Sequence, residues 1–462
     1  MLPVRIRPLV SWLLGGFLLC SVGFYNGAPL VYPDLGVYIE CGFTGEQAIY
    51  GRSMAYSFFI RHMSLATSLW YVIIAQGLLL SSVMYLTLKH LLPGHLKHRV
   101  DLIHLGIITV LALSSGLSVR VSQLMPDIFT PMALLCLVVV LFARTLSRWE
   151  IGYLSVVALW AIMSHNSNLA IFLLAIGGLG VLMAITRLRK GSLPFAVRRW
   201  LWAASLVAMT WVALPGLHWA TGGGFRVSES SSVFLMGQLN HMGILPLFLK
   251  RSCRDDSTHL FCAYRDEMPK DFWWDSRSPL YRMGGWRAVD QDAYRELIDT
   301  ILGNPFYAKL FIQGVATGAL HQFFNFETSN ISIHEGAISP YLERYFYQET
   351  YTFAHSAQYQ ETLDFTALNR RQEYLMYLSL LLMTSLAFHG RWARAIPAHL
   401  RWALLLVFVT LIANAVICGG LSNGAMRYQN RLIWVLPMVL SIIGLWRWPA
   451  IIQALKRIWT NA

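Results

Sequence analysis

The residues best equipped for chemistry lie between Asn26 and Ser64, in NGAPLVYPDLGVYIECGFTGEQAIYGRSMAYSFFIRHMS. Three carboxylates stand there, Asp34, Glu40 and Glu46, among Arg52, Arg61 and the tyrosines Tyr32, Tyr38, Tyr50 and Tyr56. A carboxylate kept ionised by nearby cations can take the proton of a hydroxyl as that hydroxyl attacks, which is general-base catalysis. Asp34 is the candidate for that role, although YPDLG is also a good turn sequence in which Asp only shapes the turn. The stretch follows the first long apolar run and precedes the second, so it is a loop held against one membrane face. At ~40 residues it is longer than a connector needs to be, and such loops are functional or disordered. Its aromatic content argues against disorder.

Further ionisable residues fall into other corners between apolar runs. Arg120 and Asp127 share SVRVSQLMPD, His165 sits in SHNSN (164–168), and Arg427, Tyr428 and Arg431 share RYQNR. Each has a plainer role open to it. Asp127 in MPDIFTP suits a helix N-cap, His165 an interhelical hydrogen bond, and the two arginines snorkelling at a span end. In the functional reading, Arg427 and Arg431 lie four apart and share one helix face. Two guanidinium forks on one face make a grip for phosphate or diphosphate. Asp127 is then a second catalytic carboxylate, and Glu46, Arg52, Arg120, His165 and Tyr428 join the arginines as substrate-binding candidates. Ionisable groups this close to apolar spans are costly, so they line a cavity or pair with each other.

The elements that must place these residues are membrane helices. Hydrophobic residues make up 56% of the 462, charged residues 13%, and mean hydropathy is +0.48, whereas a soluble chain carries about 25% charged residues. The pattern predicts an all-α polytopic membrane protein with about ten transmembrane helices and both termini inside. Predicted spans are 9–25, Ala66–Leu88, Leu102–Leu117, Ile128–Ala143, a hairpin over 151–186 broken at SHNSN, Trp200–Ala220, Tyr374–Phe388, Trp402–Cys418 and Leu432–Trp448. The basic opening lacks a small-residue cleavage site after its apolar run, so it reads as an uncleaved first span rather than a signal peptide. The net charge of +13 resides in clusters such as KHLLPGHLKHR, RLRKG and RWARAIPAHLR, on the side that the positive-inside rule requires. That rule accounts for the charge without nucleic acid, for which no binding motif is present.

Three regions follow: 1–220, a transmembrane module carrying the catalytic first outward loop (26–64); 221–373, an extracytoplasmic region of mixed structure; and 374–462, a second transmembrane module. Within the middle region an apolar run near 306–324 contains Lys309, Gln313, His321 and Gln322. It is expected to be interfacial, since a span there would turn RWARAIPAHLR outward. Cys253 and Cys262 are spaced for a disulfide in an extracytoplasmic loop, and no C-x-x-C or His-rich pattern suggests a structural metal. The Phe272-Trp273-Trp274 cluster suits headgroup anchoring or stacking on a sugar. Asn330-Ile331-Ser332 matches a glycosylation acceptor.

NGAPLVYPDLGVYI, SQLMPDIF, SHNSN and NAVICGGLSNGAMRYQNRLIWVLP resemble segments of the GT-C superfamily of membrane glycosyltransferases, most closely a set of bacterial GT-C-like integral membrane proteins. The resemblance implies transfer of a sugar from a polyprenyl-phosphate carrier to an acceptor glycan, lipid or protein, at the periplasmic face of a bacterial inner membrane. The superfamily's first-loop acidic residue falls on Asp34. Many members carry a second acidic residue beside it; here Leu35 follows, so a second carboxylate comes from Glu46 or Asp127, which leaves room for a divalent cation without requiring one. The implied reaction is inverting, with Asp34 as base. Arg427 and Arg431, with Arg120 or Arg52, would neutralise the lipid-phosphate leaving group. Two other readings stand beside it: a transporter or flippase for a lipid-linked or anionic solute, in which the same charges line a pathway, and a non-catalytic membrane protein that binds a partner through its outward region and does not depend on these charges.

Overall fold

The computed structural model describes residues 7–47, 51–253, 259–329, 338–388 and 394–460, with side chains at 387 and 448–460 excepted. Tyr50 and the Asn330-Ile331-Ser332 acceptor lie outside the described residues. Among those described the chain is helical, and its single isolated bridge joins Leu30 to Gln123. The expected mixed structure of region 221–373 is therefore corrected: its described residues form helices and loops without a strand.

Five helices are long and apolar enough to cross a membrane: Trp70–Leu91, Asn166–Leu188, Val197–Ala220, Ala398–Gly420 and Arg427–Arg447. This is a helical membrane protein. Other predicted spans form shorter or more polar helices, Arg7–Leu19, Val100–Ser114, Phe129–Phe142, Arg148–Met163 and Thr366–Phe388. The 13 residues of Arg7–Leu19 rise only ~20 Å, short of the ~30 Å hydrocarbon core, before the chain turns at Cys20 into Ser21–Asn26. Thr366–Phe388 carries Arg370, Arg371 and Glu373 in its first turns. The hairpin break falls where SHNSN lies: Arg148–Met163 ends, His165 is extended, and Asn166–Leu188 begins.

The first outward loop has more structure than its sequence suggests. Gly45, left-handed, ends the helix Leu35–Thr44, and Ser53 caps the next, Met54–Met63, by accepting from the Ala55 amide. The two helices pack with Tyr38 edge-on to Tyr56 at 5.0 Å. Apolar periodicity in short helices is hard to see without their partner, which is why the loop reads as coreless.

Residues 231–307 build a lobe around a core of their own, containing Met236, Phe248, Phe261, Tyr294 and Ile301. Two of its helices, Ser231–His241 and Ile244–Ser252, meet at 83°, and Cys253 is disulfide-bonded to Cys262. Phe272 and Trp273 are buried in this core, leaving only Trp274 of that cluster exposed. Packing of the lobe, rather than lipid or sugar, thus explains two of the three aromatics.

The helix predicted near 306–324 is Pro305–Phe324. It does not stand apart from the spans. Gly318 packs on Gly419, and a methyl group on either would lie 2.4–2.6 Å from the other's carbonyl oxygen. Phe323 reaches Phe408 at 6.2 Å, so this helix runs beside the C-terminal half of Ala398–Gly420. Small residues that let backbones approach are the usual means of packing helices in lipid. Gly318→Val should cost about 1–3 kcal/mol through overpacking, seen as a lowered melting temperature in detergent; an unchanged value would rule out this contact. Cys253→Ser should abolish the mobility difference between reduced and non-reduced gels and destabilise the lobe by about 2–3 kcal/mol.

Candidate functional site

Asp34 directly precedes Leu35–Thr44 yet makes no capping hydrogen bond. Its carboxylate instead takes Arg52 at 2.5 Å and Arg427 at 3.3 Å. Asp127 is not a cap either. It lies in the tight turn Pro126–Ile128 without capping Phe129–Phe142, and its carboxylate faces Arg431 at 3.3 Å and Arg427 at 3.8 Å. Asp127 therefore does not fill the capping role open to it, whereas Asp34 does lie in the YPDLG turn, closed by the Leu35 amide donating to the Tyr32 carbonyl at 2.9 Å, and is ion-paired as well.

Arg427 and Arg431 lie four apart on the short helix Arg427–Ile433 and project to the same side, as their spacing predicts. The Arg427 guanidinium stacks 4.0 Å from the Tyr32 ring centroid. Tyr428 lies 5.0–5.1 Å from both guanidiniums, and its hydroxyl accepts from Arg427 at 3.3 Å. Arg431 is fully buried, donating to Asn414 at 2.9 Å and Ser167 at 3.2 Å. His165 caps Asn166–Leu188 by accepting from the Ser167 amide and meets Tyr428 edge-on. Burial, and then the Arg431 charge, hold the imidazole well below its ordinary range, so His165 is neutral and acts as a positioned hydrogen-bonding group.

The hairpin break also holds the first outward loop in place. Ser53 donates to the Met163 carbonyl and the Asn166 amide donates to the Gly51 carbonyl, each at 2.5 Å. Burial opposes the charge on Arg52, which lies between these anchors, but Asp34 and then Tyr38 outweigh it and raise its pKa above the ordinary guanidinium value. Burial lifts the Tyr32 phenol in spite of Arg427 beside it. Both the phenol and the guanidinium therefore keep their protons at neutral pH.

Two candidates from the sequence lie elsewhere. Glu46 is exposed and makes no described ion pair; its amide donates to Thr44. Of the two candidates for a second carboxylate, the one at the cluster is therefore Asp127. Arg120 is buried, but its described hydrogen bonds go to the side-chain oxygens of Asn430 and Gln123, each at 2.7 Å. It reaches the cluster through Asn430, on the same helix as the two arginines, and Gly116 makes that approach possible, since a methyl group there would lie 2.4 Å from Asn430 Oδ1. Tyr32, Ser167, Asn414 and Asn430 were not picked out from the sequence. Their signal is the cost of an amide or hydroxyl in an apolar helical setting, which becomes specific only once partners are known.

The chemistry of the cluster follows from its unmet valences. Arg52, Arg427 and Arg431 face two carboxylates, with Arg120 adding positive charge from one layer away. Buried donors at Arg52 Nε, Arg427 Nε, Arg431 Nε and Gln429 Nε2 have no hydrogen-bond partner, against the acceptor Asn166 Oδ1; Arg427 Nη1 and Asp127 Oδ2 make no hydrogen bond but face each other as an ion pair at 3.8 Å. Unpaired buried donors are costly, and such an excess is met by an anion with several oxygens, such as a phosphate. A metal does not fit. The described residues hold no group of three or more His, Cys, Asp or Glu side chains arranged for one, and the space between the two carboxylates is taken by the Arg427 guanidinium.

Beneath this side of the protein runs an apolar groove of about 1290 Å³ between Arg7–Leu19, Trp70–Leu91 and Arg148–Met163. One end is formed by Phe59 and Phe129, the latter two residues beyond Asp127, and the other end reaches Lys89 and Glu150. Comparison of the chain with family models, with curated proteins and with solved structures returns no match.

Arg431→Met should cost about 3–5 kcal/mol by leaving the Asp127 carboxylate short of a partner. Adding Asp127→Asn should recover a large part of that loss. Thermal unfolding of purified protein measures both, and a single variant as stable as the wild type would contradict the pairing.

Proposed function

We propose that this chain is a membrane glycosyltransferase that moves a sugar from a polyprenyl-phosphate carrier to an extracytoplasmic acceptor. The observation that carries the proposal is the buried, net-cationic cluster with unfilled donors, built from Asp34, Asp127, Arg52, Arg427 and Arg431. The groove supplies a second support: it is apolar, as an isoprenoid tail requires, and Phe129 in its wall lies two residues beyond Asp127, although none of the five cluster residues lines it. Together they describe a ligand with an anionic head and a long apolar tail.

In the reaction, an acceptor hydroxyl attacks the anomeric carbon from the face opposite the phosphate. The new glycosidic C–O bond forms as the bond to the phosphate oxygen breaks, and the configuration inverts. Asp34, ion-paired with Arg52 and Arg427, takes the hydroxyl proton. The leaving polyprenyl phosphate keeps the electron pair, and Arg427 and Arg431 bear its growing charge. A phosphate is stable as an anion, so no strong acid is needed. On this reading the shorter helices complete a GT-C-like bundle of about ten spans, and the disulfide-bearing lobe stands on the oxidising, periplasmic side of a bacterial inner membrane.

A transporter would need polar lining through the mid-membrane, whereas the groove is apolar and the charges gather at one end. Geranylgeranyl phosphate, titrated against purified protein by tryptophan fluorescence, is expected to bind where geranylgeraniol does not. Arg427→Ala should weaken that binding about 10–100-fold, the loss of hydrogen bonds to a charged group, while Asp34→Asn binds at least as tightly as the wild type and loses sugar transfer in membranes. Equal binding of alcohol and phosphate would overturn the donor assignment. Transfer persisting in Asp34→Asn would remove Asp34 as the base.

A further inference from the structure

Asp34 and Arg427 lie 393 residues apart in sequence; the chain before Arg427 is irregular, and the chain before Asp34 has only the isolated Leu30–Gln123 bridge. In each case a buried glutamine from the outward region grips the backbone nearby. Gln358 donates to the Val31 carbonyl and accepts from the Val31 amide, both at 2.9 Å, three residues before Asp34. Gln322 donates to the Ala425 carbonyl at 2.8 Å and accepts from the Ala425 amide at 3.0 Å, two residues before Arg427. The two side chains are 3% and 2% exposed, so water cannot readily take their place.

A primary amide used this way copies a strand partner for one residue: its N–H and C=O fix both peptide groups and hence the direction in which the chain leaves. Each glutamine is itself held by a packed element. Gln322 belongs to Pro305–Phe324, fastened by the Gly318–Gly419 contact. Gln358 is tied to the end of the first membrane segment, where its amide donates to Asn26 Oδ1 at 2.6 Å and the Ala357 amide donates to the Asn26 carbonyl at 3.0 Å. The C-terminal ends of Ser21–Asn26 and of Pro305–Phe324 thus act as two fixed posts, and the loops bearing the acid and the cation hang from them.

We infer that Gln358 and Gln322 are positioning residues that set the Asp34–Arg427 contact, and through it the balance between masking the carboxylate and freeing the guanidinium for an anion. In the wild type Asp34 competes with a bound phosphate for Arg427. Asp34→Asn should then tighten geranylgeranyl phosphate binding about tenfold, in line with the value of one charge-assisted hydrogen bond. With either clamp removed, by Gln358→Ala or Gln322→Ala, acid and cation no longer share one geometry, and the same Asp34→Asn change should alter affinity less than about twofold.

A glutamine that merely stabilised the fold would lower the melting temperature in both backgrounds and leave the Asp34→Asn ratio intact, which would overturn the inference. Hydrogen exchange supplies a measurement that needs no ligand. Gln322→Ala should speed exchange in residues 421–430, and Gln358→Ala in residues 28–36, with little change elsewhere. Unchanged exchange in those segments also overturns it. The inference rests on the proposed donor site only for the ligand arm. Should wild-type protein bind no prenyl phosphate, the donor reading fails, and the exchange data alone decide whether the clamps set these loops.

Discussion

The Arg427 guanidinium between Asp34 and Asp127 is the interaction on which the rest of this structure depends. Taking charges from water into a protein interior costs several kcal/mol per ion, and here Arg431 and Asp127 are completely buried and Arg427 nearly so. Mutual pairing recovers only part of that cost, because cations outnumber acids and several guanidinium nitrogens remain without acceptors. The surrounding structure must hold the charges together in an incompletely satisfied arrangement, which the proposed anion site would use. The hairpin break, the tight turn at Pro126 and the short helix Arg427–Ile433 each contribute one wall of that arrangement.

The opposite character of the neighbouring groove gives the cluster its meaning. The two share structure, since Phe129 follows Asp127 and Phe59 belongs to the helix that follows Arg52. An anionic head with an apolar tail matches this division of labour, with specificity in the charged part and affinity supplied by burial of hydrocarbon. The lobe built by residues 231–307 has a core and a disulfide of its own. Gln238 joins it to the site by donating to the Gly419 and Gly420 carbonyls, each at 3.1 Å, on the backbone that leads to Arg427.

The sequence showed the apolar helices, the hairpin break at His165 and the pairing of Arg427 with Arg431, because helical spacing and hydrophobic run length are local signals. It also separated Asp34 and Asp127 from the background, although both sit in contexts that equally suit turns and caps. What it could not show was partnership across the chain. Nothing near Glu46 says that it faces away, or near Arg120 that its hydrogen bonds go to amides. Gln322 and Gln358 look like ordinary polar residues until Ala425 and Val31 are seen beside them. The helices at 35–44 and 54–63 were hidden for a similar reason, as each is short and its apolar face is explained only by the other.

The most direct test of the central claim is a native mass spectrum of the protein extracted gently enough to keep its lipids. A bound polyprenyl phosphate or polyprenyl-phosphate sugar, lost in Arg427→Ala, is the result that this account predicts. Only bulk phospholipid, held equally by wild type and Arg427→Ala, would contradict it, since the arginine cluster would then have no role in choosing the ligand.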